Sequence, residues 1–315
     1  GREEILAVHA ENKIFAKSVN LKNIAKRTVG FSGADLENLL NEAALLAVRR
    51  DKKVITMAEI DEAHDRVIMG PAKKSHKYTE HEKKVVAYHE AGHAVVGIKL
   101  DGADDVQKIT IIPRGQAGGY TMMTPKEETF TSTKQELLES ISGLLGGRVA
   151  EEIIFGEVST GASNDFQRAT NIARKMVAEW GMSEKLGLVA YDSDQPVFMG
   201  MEYGHTEQTY SQETASKIDA EGRRLSAEAH ARATKLLTEN RSILDNMARV
   251  LVEKETIYTE EVAMLMKGAT YKEVIEAMEA KGEERKKDPF APMVKTEEQA
   301  VEKTTDENSE TKTEA

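Results

Sequence analysis

Apolar residues recur with the spacing of an α-helix along most of this chain, and the most continuous such stretch spans residues 79–100. Thr79, followed three residues later by Glu82, matches the capping box that starts many helices. The apolar positions that follow are Val85, Val86, Tyr88, Ala91, Val95, Val96 and Ile98. This spacing predicts one helix that is buried on most of its sides.

The same period predicts further helices on both sides of this stretch. Residues 1–70 have the pattern of a small helical module, in which Thr56 and Glu59 form a second capping box. Towards the C-terminus, helices are predicted over residues 132–155, through 166–180, over 211–251 and from Thr256 onward. Residues 187–210 are rich in Gly, Asp and Tyr and are predicted to form a surface loop.

A short β region interrupts the helical pattern. Residues 106–112 have the composition of a strand. After a glycine turn, residues 120–123 are predicted to run back as a second strand. The chain is therefore predicted to be mainly α with a small β-hairpin or edge strand. Such an edge could bind an extended peptide by strand addition, although an ordinary hairpin that covers the core explains the pattern equally well.

Changes in composition divide the chain into segments. Pro71 ends the first module, and the polar sequence AKKSHKYTE follows at residues 72–80. From Gly282 onward the chain is rich in Glu, Lys and Thr and has few large apolar residues, which predicts disorder. The predicted divisions are residues 1–72, 73–281 and 282–315.

Composition removes several classes of function. The net charge of −11 argues against a nucleic-acid-binding protein. The absence of cysteine excludes disulfides, thiolate zinc ligands and cysteine nucleophiles. No apolar run approaches the length of a membrane span, so we expect this chain to be soluble. It begins without Met, and we expect it to be a fragment of a longer protein.

The sequence His89-Glu90-Ala91-Gly92-His93 lies inside the most continuous predicted helix. His89 and His93 are one turn apart on one face, so both imidazoles can reach one cation. Glu90 points about 100° away, where it could reach a water held by that cation. The pattern is the zinc-protease signature. The alternative is a buried helix with two core histidines, although Gly92 in its middle favours close approach of another group.

A third ligand is not fixed by the spacing. Glu151 and Glu152 lie on one predicted helix, and Asp165 lies in the first turn of the next. The helix dipole at that turn favours an ionised carboxylate, as a metal ligand must be. However, an Asp in such a position more commonly caps the helix.

The N-terminal module contains ILAVH at residues 5–9, the NL and IA pairs within 20–25, and GFSGADLENLLNEAALLA at 30–47. In these stretches it resembles the helical lid of AAA ATPases. The resemblance implies nucleotide contacts from His9, Gly33 and Ala34, although a plain bundle with a surface histidine is the alternative for His9. The phosphate-binding G-x-x-x-x-G-K-[ST] motif does not occur. ATP and Mg²⁺ are therefore expected to act only in the full-length protein.

The second segment contains HEAGH at residues 89–93, GGRVAEEIIFG at 146–156 and STGASND at 159–165. Taken with the lid, these three stretches resemble the FtsH-type ATP-dependent zinc metalloproteases. The resemblance implies a mostly α zinc-peptidase domain after the lid, with one Zn²⁺ per subunit held by His89, His93 and Asp165. It also implies that Glu90 is the general base. We place the substrate along Ile109, Thr110, Ile111 and Ile112.

The resemblance implies more about the full-length protein. It would be a homohexameric ring, anchored at the cytoplasmic face of the cell membrane by an N-terminal segment outside this chain. It would unfold misfolded proteins with ATP and cleave them at the zinc sites. Two alternatives stay open, namely an ATP-independent zinc peptidase and a non-catalytic oligomeric assembly module.

Overall fold

The structure is a computed structural model that describes residues 1–73, 78–100, 102, 104–125, 129, 131–191 and 210–287. It confirms a mainly α chain with a small β-sheet. Contacts divide the chain into two compact units. One is Gly1–Pro71 together with the segment from Glu279 onward, and the other is Ala72–Met278.

The segment Gly1–Pro71 of the first unit is a bundle of four helices, which are α1 (Arg2–Ala10), α2 (Leu21–Arg27), α3 (Gly33–Arg49) and α4 (Met57–Met69). Its core is built from the apolar faces of these helices, with Leu6, Ile24, Leu36, Leu39 and Leu40 fully or almost fully buried. The predicted capping box is present at the start of α4, where the Glu59 carboxylate accepts from the Thr56 backbone N–H at 3.1 Å.

The second unit contains most of the helices. They are α5 (Glu80–Lys99), α6 (Lys134–Phe155), α7 (Ser163–Ala178), α8 (Gln212–Glu239), α9 (Arg241–Lys254) and α10 (Thr259–Met266), and α11 (Tyr271–Lys287) begins here. A 3₁₀ turn, Thr160–Ala162, leads into α7. The predicted single helix over residues 211–251 is wrong, since the chain breaks at Asn240 into α8 and α9.

Two glycines let α5 and α6 cross at backbone contact. A Cβ on Gly92 would lie 2.5 Å from the carbonyl oxygen of Gly146, and a Cβ on Gly146 would lie 2.7 Å from that of Gly92. Both distances are too short for any side chain. The close approach expected at Gly92 is thus confirmed, and the approaching group is the backbone of α6.

The sheet has three antiparallel strands, which are β1 (Asp105–Thr110), β2 (Tyr120–Thr124) and β3 (Thr256–Tyr258), in the order β2-β1-β3. The prediction of a helix from Thr256 is wrong for its first three residues, which form β3. They lie some 150 residues beyond their partner, so local sequence carries little sign of the pairing.

Of the two interpretations of this β region, the ordinary hairpin fits the structure, because Ile109 and Thr110 do not lie on an outer strand of the described sheet. Ile109 pairs with Thr121 of β2 on one side and with Ile257 of β3 on the other. The N–H groups of Ile111 and Ile112 donate to the Glu255 carbonyl and the Thr110 hydroxyl, respectively. β1 is therefore the central strand, and β2 and β3 are the outer strands of the described sheet.

Two predictions concern residues at or beyond the limits of the described chain. Helix α11 continues to Lys287, six residues into the segment predicted to be disordered. Residues 288–315 of that segment, and residues 192–209 of the predicted surface loop with His205, lie outside the described residues. Within the described residues, no helix combines the length and apolar character needed to cross a bilayer.

Candidate metal centre

Helix α5 carries the two histidines of the metal-binding motif. It begins at the predicted capping box, in which the Thr79 side chain accepts from the Glu82 backbone N–H at 3.2 Å. His89 and His93 lie one turn apart, as their spacing predicts. Their Nε2 atoms are 3.0 Å apart, so both rings point at the same place.

Asp165 reaches the same place from the first turn of α7. Its Oδ2 lies 3.4 Å from His89 Nε2 and 3.5 Å from His93 Nε2. These three residues form a group whose ligand atoms all lie within 4.8 Å of one another. Free N–H groups at the start of a helix favour an ionised carboxylate there, which suits a metal ligand.

The outer nitrogen of each histidine ring, Nδ1, already has a hydrogen-bond partner. His89 Nδ1 lies 2.7 Å from a carboxylate oxygen of Glu151, and His93 Nδ1 lies 2.8 Å from the carbonyl oxygen of Gly143. A carboxylate or a carbonyl oxygen accepts hydrogen bonds, so each Nδ1 carries the proton. The Nε2 atoms of both rings then face each other and Asp165. A metal ion that displaces any proton from the Nε2 atoms would find all three atoms available as ligands.

The distances fit zinc. Zn–N and Zn–O bonds of about 2.0–2.1 Å in a tetrahedral site place the ligand atoms about 3.3 Å apart. The three separations here, 3.0, 3.4 and 3.5 Å, bracket that value. Gly147 of α6 leaves room for this geometry, since a Cβ there would lie 2.6 Å from His93 Nε2. Three protein ligands leave a fourth position for water, which is typical of catalytic zinc sites.

The electrostatics of the group also favour a positive charge. Burial by itself would lower the pKa of His89, but its contacts with Asp165 and Glu151 outweigh burial and raise the pKa to about 10. Burial would raise the pKa of Asp165, but the two histidines lower it well below its ordinary value. Both shifts show that the site stabilises a cation, and a metal ion can take the place of the proton.

Glu90 is buried beside this group on a different face of α5. Burial raises the pKa of its carboxyl, while the charges of the two histidines and a hydrogen bond from Thr121 oppose that rise. The Thr121 hydroxyl donates to Glu90 Oε2 at 2.9 Å. The sequence did not identify Thr121, because only the pairing of β2 onto β1 brings it to α5.

The two other candidate ligands have different roles. Glu151 accepts from His89 Nδ1 and from the Ser159 backbone N–H, the latter at 2.7 Å. It therefore orients a ligand and is not one itself. Glu152 pairs with Arg148 and His230, each at 2.8 Å. His230 is partly exposed and bonded to this carboxylate.

The three residues predicted to contact nucleotide belong to the first unit. His9 lies in the last turn of α1 and is partly exposed. Gly33 and Ala34 open α3, behind a capping box formed by Ser32 and Asp35. No described contact tests whether they bind a nucleotide, so their role stays a prediction.

Comparison with known proteins gives two family matches. The sequence pattern of Peptidase family M41 matches residues 76–265, and that of the AAA+ lid domain matches residues 18–62. The first match includes α5, α6 and α7 and all three residues of the metal group.

Several relatives are each named ATP-dependent zinc metalloprotease FtsH. The chain is 58% identical to the Bacillus subtilis (strain 168) protein over 275 residues, which cover 87% of this chain and 43% of that relative. It is 58% identical to the Alkalihalophilus pseudofirmus protein over 268 residues, which cover 84% of this chain and 39% of that relative. It is 54% identical to the Veillonella parvula protein over 274 residues, which cover 87% of this chain and 42% of that relative.

The chain thus spans less than half the length of these relatives. The M41 pattern covers more than half of the chain and includes both histidines and the aspartate of the metal group. The chain therefore belongs to peptidase family M41.

Proposed function

We propose that this chain is the zinc-dependent endopeptidase part of an ATP-dependent protease. The observation that carries the proposal is the convergence of His89, His93 and Asp165, with the buried Glu90 beside them. When bound, zinc supplies a Lewis acid and lowers the pKa of a water ligand to about 7. Glu90 accepts the proton of the attacking water and delivers it to the leaving amine. Its buried position keeps bulk water from competing for that proton.

The outer strand β2 is the better candidate for a peptide-binding strand. β1 is paired on both sides, whereas β2 is an outer strand of the sheet and bonds to Glu90 through Thr121. An extended peptide that pairs with β2 would add a strand to the sheet close to the general base. Backbone pairing would let the enzyme accept many sequences, which suits unfolded or misfolded protein substrates.

The properties of the longer protein belong to the same proposal. The AAA+ lid match and the names of the relatives support ATP dependence, with His9, Gly33 and Ala34 at the nucleotide. A homohexameric ring and an N-terminal membrane anchor follow from the resemblance to FtsH-type proteases, as does a role in protein quality control. We retain residues 1–72 as the lid, 73–281 as the peptidase domain and 282–315 as a tail.

The decisive variant is Glu90→Gln. It removes the base but none of the metal ligands, so zinc content should stay at about one ion per chain while casein cleavage falls at least about a hundredfold. The assay uses the complete protein with ATP, and zinc is measured by elemental analysis. Turnover by Glu90→Gln equal to that of the wild type would overturn the proposed role. Equal casein cleavage by the wild type without ATP would favour an ATP-independent peptidase.

A further inference from the structure

The general base is held from outside the motif by one strand of the sheet. Thr121 lies opposite Ile109, whose side chain is fully buried, so Thr121 faces the core side of the sheet. Its Oγ1 lies 2.9 Å from Glu90 Oε2 and 3.1 Å from the Glu90 carbonyl oxygen. A hydroxyl has one proton to donate. The carbonyl is already an acceptor within α5, so the carboxylate is the better recipient.

The two oxygens of this carboxylate have different surroundings. Oε2 accepts from Thr121, whereas Oε1 lies against Gly119, where an added Cβ would be only 2.9 Å away. That Cβ would also lie 2.6 Å from the Thr110 carbonyl oxygen, so the chain at Gly119 is confined on both sides. Rotation of the carboxylate away from this orientation would break the bond to Thr121.

The placement of β2 along α5 is fixed at a second point. Met123, two residues after Thr121 and on the same face of β2, lies against Gly97, where a Cβ would be 2.5 Å from the Met123 methyl carbon. Glu90 and Gly97 are seven residues apart and share one face of α5. The strand therefore lies along that face, and Thr121 is held over Glu90 by packing on both sides of it.

We propose that Thr121 is a positioning residue for the general base, an inference that rests on the proposed zinc-peptidase function. Its hydroxyl holds Oε2 and fixes the rotation of the Glu90 carboxylate, so that Oε1 is the oxygen that takes the proton. A base that is free to rotate meets the attacking water in the correct geometry less often, and small misplacements reduce rates strongly. Thr121 touches neither the metal ligands nor the reacting atoms in this role.

The test compares Thr121→Val with Thr121→Ser in the complete protein, with a short fluorogenic peptide as substrate. Valine keeps the shape of threonine and removes the hydroxyl, so kcat should fall about tenfold to a hundredfold, with KM and zinc content within about twofold of the wild type. Serine restores the hydroxyl, so kcat should return to within a few-fold of the wild type. In a Glu90→Gln background, Thr121→Val should cause no further loss, because both changes act on one group.

Thr234→Val is the matched control, since it removes another partly buried threonine hydroxyl from the same unit. The Thr234 hydroxyl donates to the His230 carbonyl within α8, outside the metal group and the proposed peptide-binding strand. This variant should keep wild-type kcat. If Thr121→Val does not fold, Thr121→Ala and Thr121→Ser give the same comparison, since they differ by the hydroxyl alone.

Three results would overturn the role of Thr121. They are wild-type kcat in Thr121→Val, an equal loss in Thr121→Ser, and loss of zinc from Thr121→Val. The first leaves the proposed function intact as long as Glu90→Gln is inactive. An active Glu90→Gln enzyme would instead overturn the proposed function itself, so the two failures are distinguishable.

Discussion

Each histidine of the metal group is oriented through its outer nitrogen, but by partners of different chemistry. His93 bonds to a backbone carbonyl of α6, whereas His89 bonds to the Glu151 carboxylate. Glu151 is in turn held by the backbone N–H and hydroxyl of Ser159. A negative charge behind an imidazole increases its basicity as a ligand. Glu151 should therefore affect zinc affinity although it does not touch the metal.

We predict that Glu151→Gln weakens zinc binding by about tenfold to a hundredfold, because it removes that charge while it keeps the side-chain shape. Competition with a zinc-binding dye measures the affinity. Glu152→Gln is the matched control, since the adjacent carboxylate bonds to Arg148 and His230 and not to a ligand. Asp165→Ala should lose zinc far more strongly than either. Equal affinities of Glu151→Gln and Glu152→Gln would contradict the orienting role.

The sequence predicts the relative positions of site residues that lie close together along the chain, and it does not predict those of residues that lie far apart. His89, Glu90 and His93 are placed by one helix, so their spacing alone indicates their relative positions. Asp165 joins them only when the packing of α7 against α6 brings its first turn to α5, and spacing could not separate it from Glu151 or Glu152. No local sequence pattern identifies Thr121, because its contact with Glu90 depends on the register of β2.

At the scale of elements, the crossing of α5 and α6 determines whether the histidines and their supports meet. The crossing requires glycine at positions where glycine is unfavourable for an isolated helix. Gly92 and Gly146 bring the two backbones together, and Gly147, the next residue of α6, lies against both histidine rings. Gly143 belongs to the same helix, but a Cβ there would meet nothing within 4 Å.

We therefore predict opposite effects for two identical substitutions in α6. Gly143→Ala should stabilise the protein by about 0.5–1 kcal/mol, because alanine loses less backbone entropy in a helix. Gly146→Ala should destabilise it by about 1–3 kcal/mol, because the new Cβ forces the helices apart. It should also reduce zinc content, since the ligands move with the helices. Urea unfolding measures the free energies, and stabilisation by Gly146→Ala would contradict the close crossing.

The elements themselves were predictable where their signals are local. The capping boxes at Thr56 and Thr79 start α4 and α5 where the sequence predicts. The break at Asn240 was not predicted, because the apolar period continues across it. β3 was missed because its three residues directly precede a helix start, and only distant pairing with β1 makes them a strand.

At the scale of the whole chain, the metal group connects elements of one unit. Helices α5 and α7 supply the ligands, α6 supplies Glu151, Gly143 and Gly147, and β2 reaches Glu90. All of these lie in the unit Ala72–Met278, and no comparable group occurs in the described residues of the first unit. A metal held by this group binds the folded unit and not the unfolded chain, so it stabilises the folded unit by its binding free energy. Loss of the metal should therefore destabilise this unit specifically.

Removal of the metal should therefore lower the unfolding temperature of the second unit by about 5–10 °C, if free zinc exceeds its Kd about a hundredfold before chelation. The single tryptophan, Trp180, follows α7 and reports this unit alone by fluorescence. Far-UV circular dichroism reports the helices of both units. The chelator should shift the fluorescence transition and only part of the dichroism change.

The Asp165→Ala variant shows whether the shift comes from this site. Without the third ligand, the chelator should leave the fluorescence transition almost unchanged, whereas adding zinc back to the chelated wild type should restore it. A chelator that shifts both units of the wild type equally, or that shifts Asp165→Ala as much as the wild type, would indicate that the metal acts elsewhere. A shift confined to Trp180 and dependent on Asp165 would make the metal a structural requirement of the peptidase unit as well as its cofactor.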